Sequence, residues 1–382
     1  MLHNKVLYSY NDVMIEPAVL SEINSRSECN PFKSGVLPIF TAPMSTVVNE
    51  KNYGIFKKNG IIPIMPRNIS LETRYDIAIK GNWAAFSLKE FKELFCNKEK
   101  HIDHHDNPYK VLIDVANGHM KQIYDLVREA KELHGKDNII IMVGNIANPK
   151  TYFECYKAGV NFVRVSIGSG AGCITASNTG IYYSSASLID ATYREKVNIY
   201  RHNNFLNKVW DEMPQIVADG GVRNYSDVVK SLALGSDYVM IGSVLASLIE
   251  SAGDTYFKLK GGGQYYFNFD VNEKDEICIE DLQTEYLTKM GKEFESYQMY
   301  KEFYGMASRE GQIAINGKKT KTSEGICKEL PVIGSVPQWT ENMNAYLRSA
   351  MSYCNVRDIK DFNPENVTVN IISSETKNSI NK

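Results

Sequence analysis

The chain of 382 residues carries 43 Lys and Arg against 45 Asp and Glu, a formal charge of −2, with 43% hydrophobic and 23% charged residues. That balance suits a globular protein and gives no electrostatic ground for a nucleic-acid or membrane partner, so any phosphate it binds must be met by local groups. No stretch approaches the roughly 18 apolar residues of a membrane span, and MLHNKVLYSYND has neither a signal-peptide core nor an arginine-rich transit pattern, so a cytoplasmic location is expected.

Short apolar runs closed by Gly, Pro, Ser, Asn or Asp recur in order: LPIFTAP (37–43), IIPIMP (61–66), WAAFS (83–87), VLIDVANG (111–118), IIIMVGN (139–145), FVRVSIG (162–168), QIVADGG (215–221) and YVMIGS (238–243). These are eight candidate strands. Amphipathic helical patterns lie between most of them, as in HMKQIYDLVREAKELHG (119–135) and SDVVKSLALG (226–235). Near-continuous apolar strands alternating with helices imply a parallel sheet covered on both faces. Eight units suit a closed (β/α)8 TIM barrel of the α/β class better than an open doubly wound sheet. A dinucleotide-binding Rossmann domain needs GxGxxG opening a helix, and GSGAGC does not supply it. In a barrel the functional groups gather at the C-terminal ends of the strands, and the polar punctuation falls there: Asp114, Asn117, Asn145, Cys173, Asp219, Gly221, Gly242 and Ser243.

Residues 1–361 are read as one catalytic barrel domain, with 255–330 forming an irregular insertion and a mobile active-site flap. The Asn-, Ser- and Lys-rich stretch 362–382 reads as a poorly ordered tail. HIDHHD (101–106) reads as a solvated loop rather than a metal site, and GGG (261–263) as a hairpin or linker. The cysteines at 29, 96, 155, 173, 278, 327 and 354 are scattered, with no CxxC pair, which argues against a zinc ribbon or a disulfide framework. Cys173 differs from the rest because the glycines at 168, 170 and 172 let the backbone around it approach a ligand closely. On the residues alone its thiol could be core, metal ligand or nucleophile.

The punctuation, taken together, resembles the IMP dehydrogenase / GMP reductase family. The similar segments are YNDVMIEP (10–17), SRSE (25–28), TAPMSTV (41–47), IPIMPRN (62–68), DVANGH (114–119), GNIAN (144–148), GSGAGCIT (168–175), ADGGVRNYSDVVKSLALGSDYVMIGSVLA (218–246), FYGMAS (303–308) and SEG (323–325). The resemblance implies that Cys173 adds to C2 of a purine nucleotide (GMP or IMP) and that Thr175 with Glu324 relays a proton. It places Gly220, Gly221, Gly242 and Ser243, with Tyr304, Gly305 and Met306, around the nucleotide and its phosphate, and Asp219 on the ribose hydroxyls. Asp114, Asn117 and Asn145 would face the nicotinamide of NADPH, or of NAD in the alternative reaction. It further implies a monovalent cation such as K+ on the carbonyls of Gly168, Gly170 and Cys173, and a homotetramer.

Two departures stand out: Ala171 and Ala176 replace the family's serine and arginine, removing a phosphate-binding hydroxyl and a charge beside the threonine. The expected reaction is NADPH-dependent reductive deamination of GMP to IMP. No regulatory CBS domain follows the second strand, DVANG is the reductase spelling, and residues 306–325 hold no Arg-Tyr pair to activate water. The alternatives are an IMP dehydrogenase lacking the regulatory domain, or a diverged barrel acting on a modified purine.

Overall fold

The computed structural model describes residues 5–98, 107–203, 210–259, 264–267, 297–318 and 322–380. Its strands are β1 (Val13–Ile15), β2 (Ile39–Thr41), β3 (Ile64–Met65), β4 (Trp83–Phe86), β5 (Tyr109–Asp114), β6 (Ile139–Ile146), β7 (Phe162–Val165), β8 (Gln215–Asp219), β9 (Tyr238–Ile241), β10 (Thr255–Leu259), β11 (Gln264–Phe267), β12 (Tyr297–Tyr304), β13 (Cys327–Pro331) and β14 (Val369–Ile371). Strands β2 to β9 form one parallel sheet in the order β2-β9-β8-β7-β6-β5-β4-β3. The edges meet where the Thr41 N–H donates to Ile62 O at 3.0 Å and the Ile62 N–H to Ile39 O at 2.9 Å. The eight apolar runs read from the sequence are thus the eight strands of a (β/α)8 barrel.

Period-two geometry explains why these strands are apolar throughout. Along β5, Val111 and Ile113 pack outward with the helices while Leu112 turns into the lumen. Phe40, Trp83, Met142, Val217 and Met240 complete that inner layer, with the Phe40 and Trp83 rings edge to face at 5.6 Å. The lumen is a packed core, so a ligand must sit at its rim. The helix Lys121–His134 buries Ile123, Leu126, Val127 and Ala130, the stripe its sequence pattern indicates.

Two stretches differ from expectation. The described part of 255–330 is regular, with β10 to β13 forming an antiparallel sheet in the order β11-β10-β12-β13. In β12, Met299, Lys301 and Phe303 are buried while the intervening residues are not, an alternation hidden in the sequence by the lysine at an inward position. The stretch read as a poorly ordered tail contains β14, which pairs antiparallel with β1 from Val13–Ile371 to Ile15–Val369. Hydrogen bonding to a strand near the other end of the chain orders it, and its polar composition does not show that partner. HIDHHD and GGG lie outside the described residues. Among the described residues no helix is long and apolar enough to cross a membrane.

Lys301 ties the added sheet to the barrel. Its ammonium is buried and donates to Ile249 O (3.2 Å), Ser251 O (2.8 Å) and Thr255 Oγ1 (2.7 Å). Replacing Lys301 with Met removes these donors and leaves carbonyls unpaired, which should cost about 1–3 kcal/mol of stability. The check is the urea unfolding midpoint, and an unchanged value would show that the ammonium is not a structural tie.

Candidate active site

The cysteine loop leaves β7 and turns back through a hydrogen bond from the Cys173 N–H to Gly170 O at 3.0 Å. A short helix, Thr175–Thr179, begins two residues later. The segment ahead of β13 lies antiparallel against the loop: the Ile174 N–H donates to Glu324 O and the Ile326 N–H to Gly172 O, both at 3.0 Å. This backbone pairing aligns three side chains. The Cys173 thiol donates to Thr175 Oγ1 at 3.2 Å, and the Thr175 hydroxyl donates to Glu324 Oε2 at 3.2 Å. A thiol, a hydroxyl and a carboxylate therefore stand in one hydrogen-bonded line, a geometry suited to moving a proton between the sulfur's surroundings and the carboxylate.

These groups open on a cavity of about 630 Å³. Gly168 and Gly170 line it from the loop, Asp219, Gly220 and Gly221 from the end of β8, and Gly242 and Ser243 from the end of β9. Gly305 and Met306 close it from the segment after β12, and Asn117 and Asn145 from the ends of β5 and β6. At Gly220 φ is +89°, and a Cβ would stand 3.0 Å from Ser169 Oγ, so glycine permits both the turn and the close approach. Ser169 and Ser166 share a hydrogen bond of 2.7 Å between their hydroxyls there. The Tyr10 ring lies beneath the same turn, 3.6 Å from the place a Gly221 Cβ would take. Among the described residues, Asp219 and Glu324 are the only acidic side chains lining the cavity, and no Lys or Arg lines it.

Tyr304 and Asp114 stand elsewhere. Strand alternation turns Phe303 to the cavity, whereas Tyr304 does not line it and bonds with the Ser45 side chain. Burial raises the Tyr304 phenol above its ordinary value. Asp114 lines a second cavity of about 820 Å³ with Arg67, Ser87 and Lys89. The two cavities share Asn117, Asn145, Met306 and Glu324 as walls, so they adjoin at the rim of the barrel.

Sequence reasoning missed the group that joins them. Arg164 of β7 lies buried between Asp114, which accepts from Nη1 at 2.8 Å, and Asp219, which accepts from Nη2 at 2.8 Å and Nε at 3.3 Å. Burial acts to lower the guanidinium's pKa, but the charges of Asp219 and Asp114 outweigh it and hold the value above the ordinary one. The Asn145 amide also donates to Asp219 Oδ2, at 2.7 Å. All three donors use that oxygen, leaving Oδ1 without a protein partner among the described residues. Space for Arg164 comes from Gly144, where a Cβ would fall 2.3 Å from the arginine's own. The available signal was an arginine inside the otherwise apolar run FVRV.

His119 was quoted in a motif but given no role. It lines the first cavity, its Nε2 accepts from the Ala147 N–H at 3.1 Å, and its Nδ1 lies 3.0 Å from Thr151 Oγ1. Accepting a backbone N–H requires Nε2 to be unprotonated, so the ring is neutral with its proton on Nδ1. Burial lowers its pKa from the ordinary 6.5. The folded chain thus binds this proton less tightly than the unfolded chain, and the contact's contribution is full above pH 6.5 and lost as pH falls through the lower folded value. Urea midpoints measured at about pH 7.5 and about pH 5.5 should differ less in His119→Gln than in the parent. An equal difference would remove His119 from the acid response.

Comparison with known proteins agrees with this geometry. Residues 100–268 match the family model described as the IMP dehydrogenase / GMP reductase domain. A protein named GMP reductase from Shouchella clausii is 30% identical over 261 residues, 66% of this chain and 74% of its own length. GMP reductases from Bacillus subtilis and Staphylococcus aureus are each 28% identical, over 91% and 93% of both chains respectively. A barrel with a cysteine, threonine and glutamate aligned at its rim, and relatives matched nearly end to end, lead to one conclusion: the chain belongs to the IMP dehydrogenase / GMP reductase family.

Proposed function

We propose that this enzyme converts GMP to IMP and ammonia with NADPH, through a covalent bond between Cys173 and C2 of the purine. The observation that carries the reading is the Cys173–Thr175–Glu324 line at the cavity floor, with contacts of 3.2 Å. The names of the relatives support the reductive direction, as does the lack of an Arg-Tyr pair in 306–325.

The thiolate of Cys173 adds to C2, and the electron pair moves onto the adjacent ring nitrogen. Glu324 delivers a proton through Thr175 to the 2-amino group, the C–N bond breaks, and ammonia leaves behind a C2 thioimidate. The second cavity, about 820 Å³ with Asp114 as an acceptor for ribose hydroxyls, suits a nicotinamide nucleotide. That cofactor, when bound, supplies hydride to C2. Cys173 then departs as thiolate, and IMP is released. Asp219 Oδ1, free of protein donors, takes the ribose diol of the substrate, and the amides around Gly220, Gly221 and Ser243 take the phosphate. Ser166 and Ser169 stand where they can offset the hydroxyl lost at Ala171.

A monovalent cation on the carbonyls of Gly168, Gly170 and Cys173 remains part of the reading, since the Gly170 carbonyl that accepts the Cys173 N–H keeps a second lone pair. No step is derived through one. A homotetramer in the cytoplasm accompanies the proposal, and the oligomeric state is read by light scattering.

Following NADPH absorbance with GMP, IMP and XMP in parallel tests the reading, with consumption expected for GMP alone. Sustained oxidation of IMP by NAD would make the chain a dehydrogenase instead. Cys173→Ala should abolish turnover while GMP binding stays within a few-fold, and substantial residual activity would exclude nucleophilic catalysis by this thiol. Glu324→Gln should block deamination yet still give a burst of NADPH from IMP and NADP, of at most one equivalent per site. Unimpaired deamination in that variant would remove Glu324 from the proton path.

A further inference from the structure

Asp219 lines the first cavity and not the second, and Asp114 lines the second and not the first. Among the described residues, the Arg164 guanidinium is the one cation bonded to both, through Nη1 to Asp114 and through Nη2 and Nε to Asp219. With only 6% of the residue exposed, water has little access to compensate either carboxylate when its surroundings change. In so dry a place a change in charge at one end of the triad is felt at the other.

We infer that Arg164 is a positioning residue that couples the two cavities, so that a purine nucleotide in the first raises the affinity of the second for a nicotinamide nucleotide. The inference rests on the ligands assigned under the proposed function. Ribose hydroxyls donating to Asp219 Oδ1 spread that carboxylate's charge and weaken its hold on Arg164. The guanidinium is then drawn more firmly to Asp114, fixing the carboxylate that meets the second ligand. Asn145 strengthens the link, because its amide is bonded to Asp219 and the residue lines both cavities. Arg67 anchors the far end, donating to Asp114 O at 3.2 Å and standing 3.8 Å from Asp114 Oδ2. Linkage makes the effect reciprocal.

GMP and NADP form an unreactive pair, so the coupling is measurable by calorimetry on the full chain without turnover. GMP should bind about five-fold or more tightly when NADP is saturating. Arg164→Lys keeps the charge, but one ammonium cannot fork between two carboxylates. In that variant each ligand should still bind alone, with the coupling factor reduced to within about two-fold of unity. Arg164→Gln, whose single amide can reach one carboxylate but not both, should lose coupling in the same way and serves if the lysine variant does not fold. No coupling in the parent, or full coupling in both variants, would overturn the inference. A parent that couples the two ligands yet consumes no NADPH with GMP would defeat the proposed reaction and leave the coupling standing. A parent that binds neither ligand would overturn both.

Discussion

The site depends on a pair of backbone hydrogen bonds. Ile174 to Glu324 and Ile326 to Gly172 join a loop leaving the sixth strand of the barrel to a segment lying beyond its eighth. Side chains 149 residues apart in sequence meet only because this short antiparallel bridge sets their register. A one-residue slip would turn Glu324 to the opposite face and leave Thr175 without its acceptor. The added sheet β10 to β13 is the support for that register. It carries the segment to the loop, and Lys301 holds it against the barrel from below.

Electrostatics follow a division between rim and core. Among the described residues, the first cavity presents two carboxylates and no basic side chain, so the donors it offers are neutral ones: backbone amides, hydroxyls and the asparagines. Positive charge sits one layer deeper, on Arg164, where it neutralises acceptors instead of meeting substrate. Removing it would leave two carboxylates facing each other in a dry place, a cost of several kcal/mol by analogy with other buried pairs. Together with Asn145 it engages only Oδ2 of Asp219, leaving Oδ1 without a protein donor among the described residues.

What the sequence reveals follows from how local each feature is. The eight strands were readable because each must be apolar on both faces, which leaves a run whatever its neighbours do. Cys173, Asp219 and the glycines after β8 were singled out by their place at strand ends and by the motifs around them, and the fold brings them to the lining of one cavity. Arg164 was not, since a charged residue in a strand ordinarily faces solvent, and its partners lie 50 and 55 residues away. Tyr304 was marked by its motif, whereas strand alternation at the end of β12 turns Phe303 to the cavity, a matter of register that the motif does not carry. The insertion looked irregular because an inward lysine interrupts its alternation, and only the three acceptors around that lysine make it a core position.

The pairing of β1 with β14 bears on the order in which the molecule is completed. Val13 meets Ile371, Ile372 donates to Asp12 O at 2.9 Å, and Lys377 pairs with Asp12. Just before β1, Tyr10 is buried under the Gly220–Gly221 turn. Contacts so distant in sequence close late, after the barrel between them has formed. On the ribosome β1 is therefore made well before its partner β14 and waits for it, so the packing of Tyr10 beneath the Gly220–Gly221 turn is among the last parts of the fold to be secured.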